Sequence, residues 1–162
     1  MNGSTEHRAS NADEKMGRPQ VVFNLGTARR MVPLLRRIVG DILLGQRSLE
    51  QLGLEQEALD QQKRTLDWPQ RHRRYHVHED YILAQRNLQD ALAELEVLNV
   101  RLIDPLDGQV GLPTVVNGQL AFFSWKPTES TVQFWHFAAE KLRRTIPASW
   151  NETAAFPSKE NG

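Results

Sequence analysis

The chain of 162 residues contains no cysteine. A disulfide, a thiolate metal site and a thiol nucleophile are thereby excluded, and the composition suits a reducing compartment. Surplus charge of either sign is also missing, since 20 Lys and Arg balance 20 Asp and Glu. Attraction to a polyanion would have to come from a local patch, so nucleic acid is not an expected partner. No stretch approaches the ~20 apolar residues of a membrane span, and Met1 to Gln20 lack the apolar segment of a signal peptide. The chain is therefore read as cytoplasmic, neither secreted nor membrane-embedded. A Gly-rich phosphate loop, a nucleophile elbow and the standard paired-histidine zinc helix are absent as well, which lowers the expectation of an enzyme and implies no cofactor.

What is present is the balance of an ordinary folded protein, 40% hydrophobic and 25% charged, in a length that suits one domain with a modest core. Residues 1–20 and 148–162 are poor in apolar side chains and read as flexible tails, with Trp150 and Phe156 as exceptions able to dock locally. Between them, 21–147 reads as a single α+β domain.

Its first part is helical. Asn24 or Thr27 can cap a helix, and Pro33 should kink that helix or restart it. From Met31 onward apolar residues recur at steps of four and three: Leu35, Ile38, Ile42, Leu49, Leu52, Leu59 and Leu66. Asp67, Trp68 and Pro69 stop this run, and a second follows at Tyr81, Ala84, Leu88, Ala91, Leu95, Leu98 and Leu102. The spacing predicts helices over about 27–66 and 75–102, folded back as an antiparallel, coiled-coil-like hairpin. At ~1.5 Å per residue the first would run about 55 to 60 Å and the second about 35 to 40 Å, leaving part of the longer stripe for self-association.

After Asp104, Pro105 and Gly108 the period changes to two. Asn117-Gly118 signals a two-residue hairpin between Leu112–Val116 and Leu120–Trp125, and Thr131–Phe137 reads as a third strand. A small three-stranded antiparallel sheet is expected over about 109–137. Leu120 and Phe122 share one face, while Ala121, Phe123 and Trp125 share the other. Both faces are apolar, so helices should cover one and a partner or a tail the other.

The succession Phe23-Asn24-Leu25, Ala28 and Val32-Pro33-Leu34-Leu35, followed by Gly108, Leu112-Pro113, Asn117-Gly118, Trp125-Lys126, Glu129, Trp135-His136 and Pro147, resembles an uncharacterised bacterial family, the domain of unknown function 2203. The resemblance spans roughly Phe23 to Pro147. It departs from the family at Gly111, where an acidic residue is usual, at Ser124, where a Cys is usual, and over Lys141 to Thr145, where a Gly-Phe-x-Gly-Arg stretch is usual. It implies the architecture and no activity, and it directs attention to Trp125, Glu129, Trp135 and His136.

Three constellations could carry chemistry. Glu129 at a turn between strands could orient His136, with Trp125, Trp135, Arg143 and Arg144 completing a ligand site; a structural histidine satisfied by Glu129 or by the backbone is the plainer expectation. The segment Arg71 to Asp80 reads as a loop in which His72, His76 and His78 suggest a metal by spacing. Arg71, Arg73 and Arg74 would repel a cation, however, so the loop is first of all basic and suits phosphate or an acidic protein partner. The aromatic set around Phe122, Phe123 and Trp135 reads as a small core and not as a stacking platform. The leading expectation is thus a non-enzymatic interaction or scaffold protein that forms a homodimer, with a small ligand-binding protein or enzyme using Glu129 and His136 as the alternative.

Overall fold

The computed structural model describes residues 21–150 together with Glu152. The expectations for a flexible tail over 1–20, for the rest of 151–162 and for Phe156 lie outside these described residues.

The chain opens with a short helix α1 (Leu25–Arg30), whose cap is Asn24: its side chain accepts the Thr27 N–H at 2.7 Å. Met31 interrupts it, and Pro33 stands in the first turn of the next helix, where a missing N–H costs nothing. Pro33 therefore restarts the helix. Helix α2 runs Val32–Gln61 and α3 runs Trp68–Val97, each of 30 residues.

Two boundaries correct the sequence expectation. Helix α2 ends at Gln61 and not at residue 66. Helix α3 begins at Trp68 and not at 75, because Asp67 and Gln70 close a reciprocal capping box and Pro69 occupies the first turn. The residues that looked like a stop are a start. Both helices then span about 45 Å, so the excess length assigned to the first does not exist. They pack antiparallel, as cross-helix contacts show: Arg37 with Glu94, the site of Gly45 against Leu88, Gly53 against Tyr81, and Asp60 with Arg74. Leu35, Ile38, Ile42, Ala91 and Leu95 are fully enclosed. The second stripe also starts earlier than expected, at the buried Val77.

The five strands are β1 (Arg101–Asp104), β2 (Gln109–Val116), β3 (Gln119–Trp125), β4 (Phe134–Phe137) and β5 (Arg144–Thr145), antiparallel in sequence order. The three expected strands are all present, and the sheet gains one at each edge. Arg101 and Leu102, expected at a helix end, belong to β1. Asn117 and Gly118 turn the central hairpin with φ of 52° and 75°, as a type I′ turn demands. Asn99 (φ 59°) makes the reversal from α3 into β1.

Val110, Leu112, Ala121, Phe123, Trp125 and Trp135 face the helices and join Leu35, Ile38 and Val39 in one core. Gly108 marks the closest approach: a Cβ there would stand 2.6 Å from Val39 Cγ1. Trp150, named above as a residue of the tail able to dock, packs on Trp135 with ring centres 5.2 Å apart.

Candidate functional site

The outer face of the sheet, away from the helices, holds most of the residues singled out above. Cross-strand pairing sets Gly111 opposite Ser124 and Ser124 opposite Phe134 in one row, with Pro113, Phe122 and His136 in the next. Two of the three departures from the family pattern, Gly111 and Ser124, are thus direct neighbours. A Cβ on Gly111 would meet the Phe122 ring at 3.0 Å. The bare glycine is what lets Phe122 lie down over β2.

Glu129 sits in the β3–β4 connection, which several groups hold in place. Its backbone carbonyl accepts from Trp125 Nε1 at 3.1 Å and from Arg36 Nη2 at 2.9 Å, while Arg36 also bonds the Pro127 carbonyl and lies over the Trp125 ring. The Glu129 carboxylate accepts the Lys126 N–H at 2.8 Å and takes a two-oxygen contact from Arg143 Nη2 at 2.5 and 3.0 Å. Arg143 crosses the Phe134 ring and donates from Nε to Ser124 Oγ at 2.8 Å, and that hydroxyl also accepts from Gln109 Nε2. Glu129 and Arg143 thus neutralise each other, as a largely buried ion pair requires.

Lys126 pairs with Asp107 at 2.7 Å. Burial alone would raise the Asp107 carboxyl, but the hydrogen bonds from Lys126 and the Gln109 N–H, with the charges of Lys126 and Arg143, outweigh it and hold the group below its ordinary value.

Glu129 and His136 are not brought together. His136 is 3% exposed, and its Nδ1–H donates to the Phe137 carbonyl at 2.8 Å, so the ring is satisfied by backbone on that side. Its Nε2 is buried without a hydrogen-bond partner among the described residues. Trp135 lies on the opposite face, in the core, with Arg144 over its ring and Arg144 paired to Glu140. Trp125 is likewise core. The expected ligand set is therefore split: Glu129, His136 and Arg143 lie toward the outer face, Trp125 and Trp135 in the core, and Arg144 on the exposed edge strand.

Gln109, Asp107, Arg36 and Arg101 are not among the site residues expected from the sequence, and Ser124 enters there as a departure from the family pattern and not as a hydrogen-bonding group. For Ser124 the signal was available, since alternation puts it on the Phe122 face. Gln109 and Asp107 depend on a register shift between β1 and β2, which no local pattern announces.

A cavity of about 290 Å³ opens where α3 meets β1 and the outer face, lined among others by Glu96, Asn99, Arg101, Pro113 and Phe122. Arg101 stacks on Phe122 and has no ion-pair partner among the described residues.

The segment Arg71 to Asp80 is a correction in kind: it is the first part of α3 and not a loop. Arg73 makes a two-pronged pair with Glu55 at 2.7 and 2.8 Å, and Arg74 pairs with Asp60. Their charges are spent within the hairpin, which leaves Arg71 as the outward-looking member. His72 and His76 face each other one helical turn apart, while His78 turns to Gln56.

No helix among the described residues is long and apolar enough to cross a membrane. Neither a curated protein nor a solved structure matches the chain. Residues 21–144 match a family of uncharacterised conserved proteins, the same family that the Phe23 to Pro147 motifs suggest, and the chain is a member of it: the domain of unknown function 2203.

Proposed function

We propose that this is a non-enzymatic interaction protein that forms a homodimer through its helical hairpin. The observation that carries the reading is how little the outer half of the hairpin encloses. Across residues 43–61 and 68–90 only Val77 is fully buried, and a two-helix arm with a thin seam is a marginal structure.

One face of that arm is suited to cover. A groove of about 410 Å³ runs between the helices over small residues, Gly45, Ser48 and Ala84. Leu44, 64% exposed, borders it, and Leu83, 55% exposed, stands one turn from the groove residue Asn87. The Arg37–Glu94 pair stands at one end of it. A knob beside a row of small residues is self-complementary, so two copies related by a twofold axis can seat each leucine in the other's groove. The hairpins would then form a coiled-coil-like four-helix arrangement. A bacterial cytoplasm is the setting we assign, on the family resemblance and the absence of cysteine. Light scattering after size-exclusion chromatography tests the reading: a dimer mass is expected, and a monomer at micromolar concentration overturns it.

One observation favours a second reading, a small ligand on the outer face. His136 Nε2 is an open acceptor, and its ring lies 5.7 Å from Phe122, which also lines the Arg101 cavity. A buried acceptor without a donor is costly, and a ligand N–H or O–H would relieve it. Native mass spectrometry of freshly purified protein checks this: retained mass in the wild type that is lost in His136→Ala supports it, and identical unliganded masses sink it.

A further inference from the structure

We infer that His72 and His76 form a two-histidine chelate for a divalent transition-metal ion, zinc in the first instance, at the tip of the hairpin. The two Nε2 atoms are 3.3 Å apart. Zinc holds imidazole nitrogens at about 2.0–2.1 Å in tetrahedral geometry, which sets two neighbouring nitrogens about 3.3 to 3.4 Å apart. The observed separation is that edge.

A bent hydrogen bond between the two ring nitrogens accounts for the same approach, and the proposed ion would take its place. At this separation a straight N–H···N bond would hold the ring centres about 5.6 Å apart. They are 4.4 Å apart, with the ring planes at 74°. Two imidazoles aimed at one tetrahedral zinc would hold their ring centres about 5.2 Å apart, so ligation turns the exposed rings slightly outward while keeping the nitrogen separation.

The surroundings favour a cation. Spacing alone left three arginines beside these histidines as an electrostatic objection. In the folded hairpin Arg73 is bound by Glu55 and Arg74 by Asp60, which leaves Arg71 as the one of the three without an ion pair among the described residues, and Glu79 and Asp80 add negative charge to the same stretch of helix. Glu79 Oε2 lies 3.7 Å from His76 Nδ1, on the side of the ring remote from the proposed ion, where its negative charge favours a cation. Trp68 stacks on His72 at 5.4 Å and 16° and restricts that ring. No group of three or more metal-binding side chains occurs among the described residues, so water completes the coordination and the ion is exchangeable. Imidazole pairs of this kind suit zinc, copper and nickel and not calcium or magnesium.

The full-length protein titrated with zinc chloride by calorimetry is the test. One ion per chain is expected, bound in the micromolar range at neutral pH. Either His72→Gln or His76→Gln should weaken it by at least roughly tenfold, and His78→Gln should leave it unchanged. In parallel, imidazole ¹⁵N spectra should show the Nε2 signals of His72 and His76 moving on zinc addition. All three variants lie on exposed helix, and circular dichroism verifies that they keep their helix content. No saturable heat, undiminished affinity in His76→Gln, or equal loss in His78→Gln would each overturn the assignment.

Discussion

Arg143 Nη2 grips both carboxylate oxygens of Glu129 while its Nε holds Ser124, so one guanidinium ties the last strand, the β3–β4 connection and the centre of the sheet together. Neither partner is well solvated, with side chains 19% and 12% exposed. Removing one therefore strands the other. Arg143→Met, which keeps the stem over Phe134, should cost about 3 kcal/mol and lower Tm by roughly 6 to 12 °C. The double variant Arg143→Met, Glu129→Gln should recover part of that loss, because no buried charge remains unpaired. Strict additivity of the two single effects in a thermal cycle would show that the pair is not coupled.

Gly111 makes room for Phe122, and the next prediction follows from that contact. Gly111→Ala puts a methyl group 3.0 Å from two ring atoms of a side chain that is only 3% exposed. The ring has to give way by a few tenths of an ångström toward the cavity it lines, at the expense of its contacts with Arg101 and His136, so a loss of about 1–3 kcal/mol in chemical denaturation is expected. Adding Phe122→Leu to Gly111→Ala should cost less than Phe122→Leu costs alone in the wild type, since the two substitutions relieve one clash.

Asp107 gives the fold a defined pH dependence. Its folded carboxyl titrates below its unfolded value, so it stabilises the protein above the unfolded pKa, and that contribution is lost as the pH falls through the folded one. Asp107→Asn should therefore lower Tm modestly at pH 7. The gap between variant and wild type should close as pH drops below about 4. A gap that stayed constant across this range would mean that the charge of Asp107 plays no part.

The stripes of apolar residues were readable because their period is set by the helix itself: Leu35, Ile38, Ile42, Leu88, Ala91 and Leu95 all lie on the expected seam. The Asn117-Gly118 turn was readable because only a few residue types accept its positive φ. Asp67-Trp68-Pro69-Gln70 misled for the opposite reason. A proline read as a breaker is equally at home in a first turn, and the Asp67 to Gln70 spacing of a capping box decides between the two. The edge strands were hidden because two to four residues carry no period. The site was only half legible: the sequence placed Glu129, His136 and Arg143 in one neighbourhood, but which atom bonds which depends on strand register. Arg143 took the carboxylate that the sequence reading gave to His136, since a guanidinium fork matches both oxygens and an imidazole does not.

The dimer proposal turns on two leucines. If Leu44 and Leu83 are seated in the groove of a second copy, each substitution acts twice in a twofold assembly. A buried leucine contributes ~1.5–3 kcal/mol, and a glutamate in its place also brings a charge that has to be desolvated. Leu44→Glu with Leu83→Glu should then weaken the dimer by more than roughly a hundredfold and give a monomer mass at micromolar concentration. Leu106, 90% exposed in the turn between β1 and β2, provides the control. Leu106→Glu removes a comparable apolar surface elsewhere on the molecule and should leave the mass at that of a dimer. Monomer formation in both variants would mean that added charge, and not the loss of these two contacts, drives the copies apart, and the hairpin face would lose its claim.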